Sequence, residues 1–590
     1  MHSAGCLHVH SIRQGERLTM ADESLIFDLM DSYNLPLKNR VSEEGYYSPG
    51  SGKRAVQVVG VADPEVSLIP SEPLRDGEQY RFHFDMSICV GCQCCVVACN
   101  EQNNNPAPVN WRRVGEIEGG VYPNAKRFHM SMACNHCLDP ACLTGCPTDA
   151  YVKDTKTGVV QQKAEECIGC RYCTWNCPYG VPQFNEERGI VTKCDMCHSR
   201  LADGMAPACV SACPEKAIRI EKVNVAEWRE NHSEADAPHM PDSGITISTT
   251  RLTLPEAMPE EMLRLNRHRV EPEEAHKSLI VMTVLTQLAA GGFMTLWLGS
   301  LLAHAVGFLK PLEEFLVFGA SGILAVTGLA LSASVFHLGR PLYAYKALRM
   351  WKRSWLSREI LFFALFSFSG ASYAAILLAG YFLHWEAPGV IHAAIGGIAA
   401  FSGMAGIFAS AKIYLVPARP SWNTIRTPLR FFLTGFILGP LFSLVLYGAH
   451  LVFFERDLTR GGLGPVLGWL AVSSCAGFAQ LLVLFARLFQ VNEGKNPELY
   501  DSALLLTRRF RVHFLLRVGL LALNSFILPF FYLSSFLDRD AVSGMGTVVF
   551  SGISFLIALF SEFLGRYLFF VTVVPKNMPG SFFTERGGKY

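Results

Sequence analysis

The chain changes character near residue 275. Before that point it is polar and rich in cysteine; beyond it, apolar runs dominate. Eight of these runs, at about 279–305, 314–337, 358–383, 390–416, 429–454, 464–489, 512–536 and 545–574, reach the roughly 20 residues that an α-helix needs to cross the hydrocarbon core of a bilayer. An even number of crossings returns the carboxyl terminus to the side on which the first began. The pattern predicts an all-α eight-helix transmembrane bundle over 276–575, preceded by a cysteine-bearing domain over 79–222. Residues 1–78 form an extension of no evident purpose. Within it KRAVQVVGV at 53–61 reads as a strand, because Gln57 breaks its apolar run and it lies too deep in the chain for an export signal. The stretch 223–275, rich in Glu, Pro and Asn, reads as a tether with a short amphipathic helix near EEMLRLNRHRV, and 576–590 as a tail.

At 590 residues the chain is too long for one core, and its net charge of +1 leaves no footprint for nucleic acid. The opening MHSAGCLHVHSIRQGERLTM lacks a continuous apolar core and a small-residue cleavage site, so the cysteines are expected to meet a reducing cytoplasm; Met20 is an alternative start. Of 19 cysteines, 16 fall into four tight groups, leaving Cys6, Cys94 and Cys475 outside the pattern. Group one is CVGCQCCVVAC, with Cys89, Cys92, Cys95 and Cys99. Group two, CNHCLDPACLTGCP, supplies Cys134, Cys137, Cys142 and Cys146. Group three, CIGCRYCTWNCP, supplies Cys167, Cys170, Cys173 and Cys177, and group four supplies Cys194, Cys197, Cys209 and Cys213. Each closes with Cys-x-x-x-Cys, and three continue into Pro147, Pro178 or Pro214, while Asn100 stands in that place after group one.

This is metal-ligand spacing rather than a disulfide framework. Three closely spaced thiolates can wrap three corners of an iron-sulfur cube. In the bacterial ferredoxin pattern the fourth cysteine, one helical turn on and just before a proline, ligates the other cube of a pair. Four such groups imply two ferredoxin-like units, an α+β fold and four [4Fe-4S] clusters. Zinc is the competing reading, but its ribbons use two separated C-x-x-C pairs and need neither a third cysteine close behind nor a repeated Cys-Pro. Cys94, wedged between ligands, reads as a bystander.

Ionisable residues are costly inside a bilayer and mark candidate functional positions. His337 ends the second run in SVFHLGRP, where an imidazole of near-neutral pKa could hydrogen-bond a quinone carbonyl and exchange its proton; the plainer reading is a polar helix cap. Glu562 and Arg566, one turn apart in SEFLGRYLFF, either join that chemistry or simply neutralise each other, and Gln287 is a further candidate. Two other classes stay open: a cytochrome with haem between His337 and His513, and a transporter with a regulatory ferredoxin domain, although no discontinuous Gly/Pro pair favours the latter. The loops HLGRPLYAYKALRMWKRSWLSRE, VPARPSWNTIRTPLR and NEGKNPELYDSALLLTRRFR, with Lys576, Arg586 and Lys589 of the tail, are rich in Lys and Arg. The opposite loops offer Lys310, Arg456, Arg460 and Arg539. The positive-inside rule then puts the cysteine domain on the cytoplasmic side of the cytoplasmic membrane, unless those basic loops instead dock that domain.

CIGCRYCTWNCPYGVPQFNEERGIVTKCDMCHSRLADGMAPACVSACP resembles the four-cluster electron-transfer subunit of the dimethyl sulfoxide reductase family. The later motifs AGGF, HLGRP, SWLSRE, TPLRFFLTG and EFLGR are similar to the eight-helix anchor subunit of the same family, here fused to it. The resemblance implies a partner carrying a molybdenum bis-pterin cofactor as catalytic subunit. It also implies cluster pairing of group one with four and of two with three: Cys89, Cys92, Cys95 with Cys213; Cys194, Cys197, Cys209 with Cys99; Cys134, Cys137, Cys142 with Cys177; and Cys167, Cys170, Cys173 with Cys146. His337 matches a histidine associated with quinol binding, and haem is not expected. A cytoplasmic cluster domain looks more like the membrane-bound sulfite dehydrogenases of this superfamily, sending electrons from sulfite to quinone. The reverse flow, from quinol to a sulfoxide, tetrathionate or polysulfide, is the alternative.

Overall fold

The computed structural model describes residues 67–579 apart from 107, 260, 265–269, 307–309, 386–387, 455–457, 460–462, 490–495 and 538–540, so the strand expected at 53–61 and most of the tail lie outside the described residues. The chain divides into two units, Met1–Glu65 and Val66–Tyr590, and the second holds all the elements below.

The alternating segment EQYRFHFD forms β1 (Glu78–Asp85), burying Phe82 and Phe84. A hairpin of β2 (Arg113–Gly119) and β3 (Lys126–Met132) follows, then two small hairpins, β4 (Tyr151–Lys153) with β5 (Val160–Gln162) and β6 (Gln183–Asn185) with β7 (Ile190–Thr192). β8 (Ile218–Asn224) returns antiparallel to β1. Between strands, Gly91 and Gln93 in group one and Gly169 and Arg171 in group three adopt left-handed φ of 60–70°, turning the chain sharply between successive cysteines. Short helices carry the third cysteines. Ala141–Gly145 and Tyr172–Asn176 end at Cys146 and Cys177, whose extended backbone is the conformation a following proline imposes.

The stretch expected to be a tether is largely part of this domain. A helix at Val225–Asn231 buries Trp228, whose Nε1 donates to the Ser248 carbonyl at 2.7 Å. β9 (Arg251–Thr253) then pairs in parallel with β1, completing the sheet order β8–β1–β9. At the expected amphipathic helix, Met262–Arg264 is instead a strand, β10, on the free edge of β2, with Met262 buried. An unpaired sheet edge outcompetes helix formation there. The fold is thus an α+β iron-sulfur-type region followed by a helical one.

Among the described residues, eight helices are long and apolar enough to cross a membrane: Lys277–Leu302, Phe315–Val335, Trp355–Leu383, Gly389–Ile413, Arg426–Phe453, Gly464–Ala486, Arg511–Ser534 and Gly544–Val571. The first is the hub, 83% buried over its apolar window. Gly291 on it faces Gly435 and Gly439 of the fifth so closely that a Cβ has no room, the small-residue contact that lets helix backbones meet.

Candidate iron-sulfur site

The four cysteine groups fold into interleaved sets. One hollow is lined by Cys134, Cys137 and Cys142 of group two and by Cys177 of group three, with Tyr179, Lys193 and Thr246 beside them. Another is lined by Cys89, Cys92 and Cys95 of group one and by Cys213 of group four. Cys99 stands near Cys197 and Cys209, and Cys194 near Cys99 and Cys209. Cys173 stands near Cys146, Cys167 and Cys170. In each case the fourth cysteine comes from another group; Cys146 and Cys177 are delivered by the turn at their helix ends, whereas Cys99 lies within the helix Cys94–Asn103. Cys94 is exposed and outside these sets, and Cys475 is exposed on the sixth span.

Do the residues fit cubes? Among the described residues no three His, Cys, Asp or Glu side chains converge as a single ion requires. A tetrahedral zinc site would need that convergence, whereas a cube needs sulfurs set apart around a space. Burial pushes the Cys95 and Cys177 thiols up to about 11 and Cys137 to about 12, so only a metal would hold them as thiolates at neutral pH. Main-chain N–H groups are already aimed at sulfur: Ala150 to Cys146 and Ala217 to Cys213 at 3.3 Å, and Met196 to Cys194 at 3.4 Å. Thr246, from the supposed tether, donates to Cys137 Sγ at 3.2 Å. The donor set suits anionic iron-sulfur cubes.

The set around Cys146, Cys167, Cys170 and Cys173 meets the membrane half. The loop after the second span lies on it: Gly339 N donates to Gly169 O at 3.4 Å and Arg340 N to Ile168 O at 3.1 Å. Ser354 Oγ donates to Gly145 O at 2.7 Å, and Met350 N to Pro147 O at 3.2 Å. Tyr172 and Trp175 of CIGCRYCTWNCP belong to the core of the helical bundle; Trp175 packs on His276, Tyr414 and Trp422 with ring centroids 5.5–5.7 Å away. The first of the basic loops, after the second span, is engaged in this docking. Lys346 and Arg349 pair with Glu166, Arg353 pairs with Asp149 at 3.1 Å, and Arg340 donates to Ala164 O at 2.9 Å. These charges therefore have a use other than topology, which removes much of the force of the positive-inside argument.

His337 lies two residues before Gly339, half-buried, with Nδ1 sequestered and lacking a hydrogen-bond partner. Burial, with His276 and Arg171 nearby, lowers its pKa to about 4. The near-neutral titration expected from the sequence is thus replaced by an imidazole that stays neutral at physiological pH. Gln287, Glu562 and Arg566 are brought together elsewhere, within the bundle. Arg566 Nη2 donates to Gln287 Oε1 at 2.7 Å and its guanidinium lies 3.7 Å from the Phe431 ring centroid. The counter-charge within ion-pair distance of Glu562 is Arg517 of the seventh span, 3.2 Å away, with Arg566 a more distant one, and Thr434 and Gln480 donate to Glu562 at 2.6 and 3.0 Å. No hydrogen bond or ion pair joins His337 to this network among the described residues. His513 packs against Phe510 and Tyr567.

One residue escaped the sequence reading. Glu359, one turn into the third span, is buried with Oε1 unpaired, and Tyr172, Ser410 and Tyr414 are its neighbours. An acid one helical turn inside an apolar run was the available signal, hidden because SWLSRE read as the end of a basic loop.

A cysteine-lined ferredoxin-like domain docked on eight membrane-length helices defines a membrane-anchored electron-transfer protein. The sequence matches the 4Fe-4S dicluster domain over residues 125–223 and the DMSO reductase anchor subunit over 274–573. The protein belongs to the DMSO reductase family, with electron-transfer and anchor subunits in one polypeptide. Its iron-sulfur half is 40% identical over 178 residues to a component of the anaerobic dimethyl sulfoxide reductase of Haemophilus influenzae (29% of this sequence, 86% of the relative). Against the corresponding Escherichia coli component it is 40% identical over 167 residues (27% and 80%), and against a component of the sulfite dehydrogenase of Allochromatium vinosum 31% over 226 residues (33% and 88%).

Proposed function

We propose that this protein carries electrons between a molybdenum-bearing catalytic partner and a membrane quinone, through four [4Fe-4S] clusters held by the four cysteine sets. Such clusters supply one-electron transfer at potentials their surroundings tune. The observation that carries this reading is the continuity at the junction: the loop bearing His337 rests on Ile168 and Gly169 between two cysteines, while Trp175 enters the bundle core. Cys92, at the other end, is the exposed cysteine among the sixteen of the four groups and suits delivery to the partner.

In this reading His337 keeps a neutral imidazole whose sequestered Nδ1 hydrogen-bonds a quinone carbonyl, and buried Glu359 behind Tyr172 supplies or takes the proton that accompanies each electron. Gln287, Glu562 and Arg566 shape the bundle interior rather than touch the quinone. Substrate oxidation, with sulfite as donor, gives two electrons that leave with two protons on quinone as quinol; the iron-sulfur half then faces the cytoplasm. The greater identity to sulfoxide reductase components favours a second reading, in which quinol feeds a reductase.

The test is to purify the protein at native expression, identify the large subunit that accompanies it, and offer sulfite and a sulfoxide with a quinone analogue. Sulfite-driven quinone reduction, lost in His337→Leu while dithionite still reduces the clusters, supports the proposal. Clusters drained by a sulfoxide and untouched by sulfite reverse the direction. A reporter fused after Tyr590 that is active only outside the cytoplasm would overturn the orientation.

A further inference from the structure

Two buried cations in the iron-sulfur half have no carboxylate within ion-pair distance among the described residues. Lys193 is 3% exposed, and its Nζ donates to the carbonyls of Val160 and Cys194, the latter at 2.8 Å, and to Cys134 Sγ at 3.6 Å. Asp195, the acid next in sequence, accepts from Cys197 N. Arg112 is 2% exposed. Its Nη1 donates to the Ser131 carbonyl and to Ser131 Oγ at 3.3 and 3.1 Å, Ser131 Oγ in turn lies 3.2 Å from Cys95 Sγ, and Nε and Nη2 have no partner. A buried ammonium or guanidinium without a counter-charge is expensive, so something anionic must face each.

Their positions identify it. Lys193 stands between the Cys134, Cys137, Cys142, Cys177 set and the Cys99, Cys194, Cys197, Cys209 set, touching a cysteine of each. Arg112 faces Cys95 from one set and Cys99, Cys194 and Cys209 from another. Thus Lys193 and Arg112 each stand beside the Cys99, Cys194, Cys197, Cys209 set, between it and a neighbouring set, while Arg113, also buried, stands near Cys177.

We propose that Lys193 and Arg112 are potential-setting residues, each stabilising the reduced cubes on either side of it. The physical basis is that reduction adds negative charge in a low-dielectric interior, where a fixed cation a few ångströms away is weakly screened. The inference rests on the four-cluster reading, and iron analysis separates the two: fewer than four cubes in the unsubstituted complex sinks that reading whatever the potentials are.

The experiment is a redox titration followed by electron paramagnetic resonance on the purified complex. Lys193→Met, at full iron content, should lower the midpoints of the two cubes flanking it and leave that of the Cys146, Cys167, Cys170, Cys173 cube alone, with Lys193→Arg restoring them. Unchanged midpoints in Lys193→Met would refute the assignment. Should that variant lose iron, Arg112→Lys against Arg112→Gln asks the same of the other gap: midpoints lowered in Arg112→Gln and kept in Arg112→Lys, at full iron content, support the assignment, and midpoints unchanged in both refute it.

Discussion

The iron-sulfur half and the membrane half both bury polar groups, and they compensate the cost differently. In the membrane half Glu562 finds Arg517, Thr434 and Gln480, and Arg566 finds Gln287: protein charge is answered by protein. In the iron-sulfur half raised thiols, Lys193 and Arg112 face one another across hollows lined with sulfur, and the answer must be inorganic. Glu359 with its unpaired Oε1 apart, the membrane half answers these charges within the polypeptide; the other half is finished only by its cofactor.

The sharpest test of that contrast is Cys177→Ser. Because Cys177 lines the hollow of group two, its loss should remove the Cys134, Cys137, Cys142 cube, about a quarter of the iron in the four-cluster reading, while the cube of its own motif persists. Iron analysis with paramagnetic resonance checks it. Loss of the Cys167, Cys170, Cys173 signal instead would mean that the motif serves a single cube.

Next in size is Glu562→Ala, which leaves Arg517 buried without its carboxylate. Breaking one side of a buried pair costs about 3–5 kcal/mol, whereas Glu562→Gln with Arg517→Met should be much milder because no charge is left stranded. Thermal unfolding in detergent measures both. Neither change should move cluster signals if the two halves are compensated separately.

A third prediction concerns the seam. Gly339 packs so tightly on Gly169 and Gly189 that Gly339→Ala must force the backbones apart, an overpacking cost of about 1–3 kcal/mol. Dithionite reduction of the clusters should be unaffected, while electron delivery to a quinone analogue slows. Equal rates for both would show that the docking geometry is not on the electron route.

How legible was this molecule in its sequence? The cysteine spacing and the eight apolar runs announced themselves, because ligand geometry and bilayer thickness each impose a nearly local rule. The tether did not: β9 and β10 are short strands recruited by the edges of β1 and β2, partners far away in sequence. Within the bundle, Glu562 and Arg566 looked paired because they are one turn apart, yet helix neighbours lost to cross-helix partners invisible in any one segment. His337 was located, but its pKa depends on His276, Arg171 and burial, none of which SVFHLGRP contains. The basic loops illustrate the same limit, since a charge used for docking and a charge used for orientation look identical in sequence.

The smallest predicted effect lies far from cofactor and membrane, and asks whether the iron-sulfur half also has ordinary protein electrostatics. Glu221 on β8 faces Arg81 at 3.0 Å and His83 at 2.6 Å on β1, with Arg251 of β9 at 3.8 Å. Burial alone would raise its carboxyl, but His83 and Arg81 outweigh that and hold it at about 2. The folded value is below the unfolded one, so the added stability is fully present above the ordinary carboxylate range and is lost as pH falls through that range toward 2. Because the side chain keeps 27% exposure, solvent screening limits the gain to about 1 kcal/mol. Glu221→Gln should therefore melt slightly lower than the unsubstituted protein, by a gap that narrows as pH falls through the carboxylate range toward 2. A gap that widened over that range would mean that Glu221 acts through the clusters rather than through its own strand pairing, and the division between the two halves would need redrawing.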